Sequence, residues 1–132
     1  MPRALWQLIG GRPAVEIVLT LAQGAQPLRR RLLADTGAGS AHAGFELLLD
    51  ENDCLLGGGT PVRAIALGGA YAGSFPTYAI RVQIPALGFD HHILAVGLPS
   101  TPTGLDGIAG IRFLNRFTYG NFADSRQFGL ET

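Results

Sequence analysis

The chain has 132 residues, enough to bury a core without disulfide or metal staples. Hydrophobic residues make up 47% and charged residues only 15%, so charge is too scarce to cover the surface and some apolar area is expected to meet a partner, a second copy of the chain included. Ten arginines, with no lysine, balance ten acids, which excludes the basic footprint of a nucleic-acid-binding or anionic-membrane-binding protein.

In chain order, Ala4 to Ile9 and Ala14 to Leu21 flank Gly10-Gly11-Arg12-Pro13 and are expected to form a first hairpin, with Val15, Ile17 and Leu19 alternating with Glu16 and Thr20. The apolar run before Gly10 is short and Glu16 interrupts the next one, so neither a secretion signal nor a membrane span is expected. Trp6 reads as core or as part of an interface between subunits. Arg29 to Asp35 is a third strand whose Arg29-Arg30-Arg31 reads as a solvated face. Phe45 to Asp50, FELLLD, is assigned one or two turns of helix. Cys54 is the only cysteine, which rules out an intrachain disulfide and suits the cytoplasm; without a His-bearing motif it reads as a small packed residue and not a nucleophile.

Val62 to Leu67 is a further strand, and Gly68-Gly69-Ala70-Tyr71-Ala72-Gly73 after it has the composition of a mobile hairpin tip. Thr77 to Ile84 alternates most clearly, Tyr78, Ile80, Val82 and Ile84 on one face and Thr77, Ala79, Arg81 and Gln83 on the other. Phe89 to Val96 and Gln127 to Glu131 are strands, and Ile111 to Phe117 is the best helix. His91 and His92 are adjacent on a strand and point to opposite faces, which disfavours a shared metal ion; His42 reads as polar loop. With nineteen glycines and eight prolines between short apolar runs and no internal repeat, the chain is expected to be a single all-β domain over residues 1–132.

The most informative stretch is LLADTGAGS, residues 32–40. A carboxylate at the end of an apolar strand is costly unless hydrogen bonds or chemistry retain it, and Thr36 and Gly37 supply a hydroxyl and an unobstructed backbone. Turn capping alone is the ordinary role of an Asp in such a place. Here, however, Asp35-Thr36-Gly37-Ala38 is followed by the glycine-rich hairpin and then by Asp106-Gly107-Ile108-Ala109-Gly110 leading into a short helix.

In that order these parts resemble a retropepsin, the single-domain, retrovirus-type aspartic protease, and its bacterial relatives in particular; the resemblance runs from the strand before Asp35 to the C-terminus. It implies a closed acid-protease β-barrel with one short C-terminal helix, acting as a homodimer on a peptide or protein substrate, without metal or cofactor. Carried over to this chain, it implies that Asp35 is catalytic, with Thr36 and Gly37 completing the loop, Thr36 by crossing to the other subunit. Ala38, Gly68, Gly69, Ala70 and Tyr71 would contact substrate, Gly68 to Gly73 forming the flap, and Ile108-Ala109-Gly110 would pack against the catalytic loop. The family often has an acidic residue soon after its Asp-Thr-Gly-Ala and an arginine after its later glycine, paired to brace the dimer; Gly39 and Ile111 stand there in this chain. Arg112 reads as a solvated helix residue, or as a substitute reaching another acceptor. The competing expectation is a catalytically silent peptide-binding or dimerisation module on the same scaffold.

Overall fold

In the computed structural model, residues 1–21 and 26–132 are described, apart from the side chain of Ala70. The strands are β1 (Arg3–Gln7), β2 (Ala14–Leu19), β3 (Leu28–Ala34) and β4 (Leu47–Asp50), then helix α1 (Glu51–Gly58), β5 (Arg63–Leu67), β6 (Gly73–Ile84), β7 (Phe89–Leu98) and β8 (Gly107–Ala109), then helix α2 (Ile111–Leu114), β9 (Thr118–Gly120) and β10 (Gln127–Glu131). The protein is therefore mostly β, and its centre is a closed six-stranded barrel. Around the ring the order is β2-β3-β8-β4-β7-β6, with Val18 and Leu19 of β2 pairing with Gln83 and Val82 of β6 to close it; β5 extends from the outer edge of β6.

The alternation read over Thr77 to Ile84 is what fills the barrel. Tyr78, Ile80, Val82 and Ile84 are all buried, and Ile17, Leu19, Leu32, Leu47 and Ile93 meet them from other strands. On the opposite face Ala79 and Arg81 are exposed, but Thr77 is fully buried. A second apolar cluster covers that end of the barrel wall, made by Phe45, Leu48, Val96, Leu98 and Ile108, with Ile65, Leu67, Tyr71 and Phe75 packed on it from the β5–β6 hairpin. Phe89, Phe113 and Phe117 pack together against the same core, their ring centroids 5.3 to 5.7 Å apart.

Four expectations are corrected. The first is the N-terminal hairpin: Gly10 and Gly11, at φ +58° and +75°, do make a two-residue turn closed by reciprocal Ile9–Arg12 hydrogen bonds, but the ladder stops there. Pro13 has no N–H to continue it, and its carbonyl instead accepts the amide of Ala34. β1 leaves to pair with β10 in a separate sheet of order β1-β10-β9, where Trp6 packs half-buried against the main core.

Second, Phe45 to Asp50 is not helical. Its three leucines form β4, parallel to β7 and antiparallel to β8, and a short apolar run buried on both faces has no period by which strand could be told from helix. Helix formation starts one residue later, where the Asp50 carboxylate accepts the Asn52 amide at 2.9 Å and Glu51 and Asp53 occupy the first turn. The all-β chain therefore has α1 in addition to a C-terminal helix.

Third, that C-terminal helix is shorter than Ile111 to Phe117. It is α-helical through Leu114, and Arg116 and Phe117 wind on with tighter bonds to the carbonyls of Phe113 and Leu114. Fourth, the arginine triplet is not wholly a solvated face. Arg29 and Arg31 are exposed, whereas Arg30 turns toward α1 and grips the buried Asp53 with two hydrogen bonds of 2.7 and 3.1 Å.

Candidate functional site

β3 ends at Ala34, and the chain turns immediately through Asp35-Thr36-Gly37-Ala38. The turn is anchored to β8 and closed by its own groups: the Asp35 amide donates to the Ala109 carbonyl at 3.0 Å, while the Gly37 amide donates to Asp35 Oδ1 at 2.9 Å and the Ala38 amide to the Asp35 carbonyl at 3.1 Å. One carboxylate oxygen is thus held by the backbone two residues on, which orients a half-buried side chain. A Cβ at position 37 would lie 3.2 Å from that same oxygen, so glycine leaves the approach to it open.

β8 carries the second part. It lies between β3, to which it is parallel, and β4, to which it is antiparallel. Asp106 sets its register, its amide donating to the Arg31 carbonyl and its carboxylate accepting the Arg31 amide, both at 2.8 Å. Gly107 crosses so close to the Leu48 carbonyl that no Cβ has room. Gly110 then passes under the Asp35 turn; a Cβ there would lie 2.8 Å from the Ala38 carbonyl oxygen and 3.2 Å from that of Glu46. The Ile111 amide donates to Ala38 at 3.0 Å and the Gly110 amide to Glu46 at 2.9 Å.

Facing the turn is the end of the β5–β6 hairpin. The ladder runs out at Leu67 and Gly73, and Gly69 to Tyr71 form a single turn of 3₁₀ helix in which Gly69 has φ +66°. Between hairpin and turn lies a cleft of about 450 Å³, lined by Asp35, Gly37, Ala38, Gly68, Gly69 and Tyr71. Six of the eight expected site residues therefore meet around one space. Thr36 is exposed and is not among the lining residues, and the Ala70 side chain lies outside the described residues.

The rest of the lining is apolar, from Phe45, Leu48, Leu67 and Ile108, with Gly39 and Ala66. Asp35 is the one carboxylate that lines the cleft among the described residues. Gly39 sits at φ +75° with the Phe45 ring 3.0 Å from where its Cβ would be, so an acidic side chain at this position would meet both strain and collision. Arg112 is half-buried rather than solvated, and its Nη1 donates to the Ala43 carbonyl at 2.6 Å. His42, His91 and His92 are all exposed, the His91 ring lying 4.7 Å from that of Phe89 and tilted 53° to it.

Two contributors escape a reading of the sequence. Part of the apolar lining, Leu48 and Ile108, comes from β4 and β8, the one expected to be helix and the other too short to register as a strand. Glu46, 3% exposed, is gripped by Arg116 through hydrogen bonds of 2.5 and 2.9 Å, and the carboxylate holds that guanidinium's pKa above its ordinary value. A charge between Phe45 and three leucines was the available signal, but its partner is 70 residues away. No helix among the described residues is long and apolar enough to cross a membrane. No protein-family model, curated protein or solved structure matches the chain.

Proposed function

We propose that the chain is one half of an aspartic endopeptidase, a homodimer of the acid-protease type in which the Asp35 carboxylates of two copies meet across a two-fold axis. The observation that carries this reading is a single oriented carboxylate facing an apolar cleft, opposite a glycine-rich hairpin tip. Hydrolysis by carboxylates needs both an acid and a base, and one chain offers one group. Exposed Thr36, next to Asp35 but away from the cleft, is available to the second subunit.

Two carboxylates brought close together cannot both ionise, so the pair keeps one proton, as is general for aspartic proteases. The ionised member takes a proton from a water whose oxygen attacks the peptide carbonyl carbon. The protonated member donates to the carbonyl oxygen as it becomes negative. As the C–N bond breaks, the carboxyl that took the water's proton passes it to the leaving amine and its partner takes back a proton from the tetrahedral intermediate, so that a carboxylic acid and an amine leave and the pair again holds one proton. Neither metal nor cofactor enters. Phe45, Leu48, Leu67 and Ile108 suit apolar side chains of an extended peptide, and Gly68 and Gly69 let the hairpin open and close over it. A cytoplasmic setting agrees with Cys54, a free and buried thiol.

The test is incubation of the purified protein with a diverse peptide pool between about pH 4 and 7, with and without a transition-state mimic of aspartic proteases. Cleavage that the mimic blocks and that Asp35→Asn abolishes, without loss of fold, is the expected result. Peptides that bind but stay intact would establish the silent binding module instead.

A further inference from the structure

We propose that Glu46 and Arg116 are positioning residues: their ion pair, buried at the Glu46 end and open to solvent at the Arg116 end, together with Arg112, holds the Asp35 loop in its working geometry. The proposal rests on the endopeptidase reading above for what the loop does, but not for how it is held. Glu46 is a charged residue in the midst of core, between Phe45 and Leu47, both buried. Its amide donates to the Leu94 carbonyl on β7 and its carbonyl accepts the Gly110 amide, each at 2.9 Å. Its carboxylate takes both Nε and Nη2 of Arg116.

Gly110 opens α2 and Arg116 lies just past its end, so both ends of this short helix are fixed to one residue of β4's approach. The first turn is fixed as well, because Ile111 donates to Ala38 and Arg112 donates to Ala43. Segment 38–46 is thereby stitched along its length to α2, and its first residue is three places from Asp35. An ion pair with one partner buried and the other solvated contributes little net stability, but a forked arginine–carboxylate contact is directional. Directionality is what a loop carrying a catalytic carboxylate needs, since small displacements of a reacting group are costly in rate.

Two variants separate orientation from folding. Arg116→Lys keeps the charge and loses the fork. The double variant Glu46→Leu with Arg116→Leu removes the pair without leaving an orphan charge. In both, amide exchange at Ala38 and Ile111 is expected to quicken at least about tenfold, while Ile80 and Ile93 in the barrel stay within about twofold. For peptide cleavage kcat is expected to fall about tenfold with KM within about twofold.

Unchanged exchange at Ala38 and Ile111 in the folded double variant would overturn the proposal. So would a rise spread equally over the barrel amides, which is the mark of general destabilisation, or a raised KM at constant kcat. If the unaltered protein cleaves no peptide, the endopeptidase reading fails, and the exchange measurement alone decides whether the pair holds the loop.

Discussion

Gly110→Ala isolates the contact on which the candidate site is built. Gly110 has φ −81° and ψ 173°, a conformation open to any residue, so the substitution brings no backbone strain of its own. What it brings is volume. The new Cβ would stand 2.8 Å from the Ala38 carbonyl oxygen and 3.2 Å from that of Glu46, and both are backbone atoms held in hydrogen bonds, to the Ile111 and Gly110 amides respectively. Neither can swing aside as a side-chain tip does, so the Asp35 turn and β4 must separate by several tenths of an ångström. Overpacking of this kind costs about 1–3 kcal/mol, which for a chain of this size lowers the melting temperature by roughly 3–5 °C per kcal/mol. Gly68→Ala is the matched control, because Gly68 has φ −114° and no atom within 4 Å of its Cβ position. Thermal unfolding followed by circular dichroism should place Gly68→Ala near the unaltered protein and Gly110→Ala well below it, with peptide cleavage reduced more than the remaining folded fraction explains. A Gly110→Ala protein with unaltered melting temperature and cleavage would refute the packing of β8 and α2 beneath the Asp35 turn.

At the hairpin tip the order of effects is opposite for adjacent glycines: Gly69, at φ +66°, should lose about 1–2 kcal/mol on replacement by alanine although nothing lies within 4 Å, whereas Gly68→Ala should be neutral by denaturant titration. Burial pushes the Cys54 thiol up to about 12, with Asp53, Asp50 and Glu51 adding to the effect. An unfolded thiol ionises near 8.5, so above about pH 9 the unfolded chain binds fewer protons than the folded one and stability should decline as pH rises; Cys54→Ser should remove that part of the decline. At neutral pH, alkylation of Cys54 should be no faster than the opening of the structure, measured in parallel by hydrogen exchange.

Local pattern carried the parts of the fold in which local pattern decides. Tyr78, Ile80, Val82 and Ile84 were legible as a buried face because strand period alone places them, and Gln127 to Glu131 coincides with β10 from end to end. The Asp35 turn and the glycine-rich tip were legible because special backbone needs special residues. What was not legible depends on residues far apart in the chain. FELLLD becomes a strand because β7 and β8 supply partners on both sides, and β8, three residues long, has meaning only between β3 and β4. β1 abandons its neighbour for β10, pairing Arg3 with Glu131, an association invisible to any window along the sequence. Arg116 could not be matched to Glu46 from spacing, since a partner 70 residues on is one choice among many.

The central claim is that two copies of Asp35 make one site, and a mixing experiment tests it most directly. Equal amounts of the unaltered chain and Asp35→Asn chain are co-refolded, and peptide cleavage is compared with that of unaltered chain at the same total subunit concentration. With random pairing about a quarter of the dimers keep two carboxylates, and a mixed dimer with one carboxylate and one amide cannot share the proton, so activity should fall to about a quarter. Activity of about one half, following the fraction of unaltered chain, would mean that each chain works alone and would contradict the shared site.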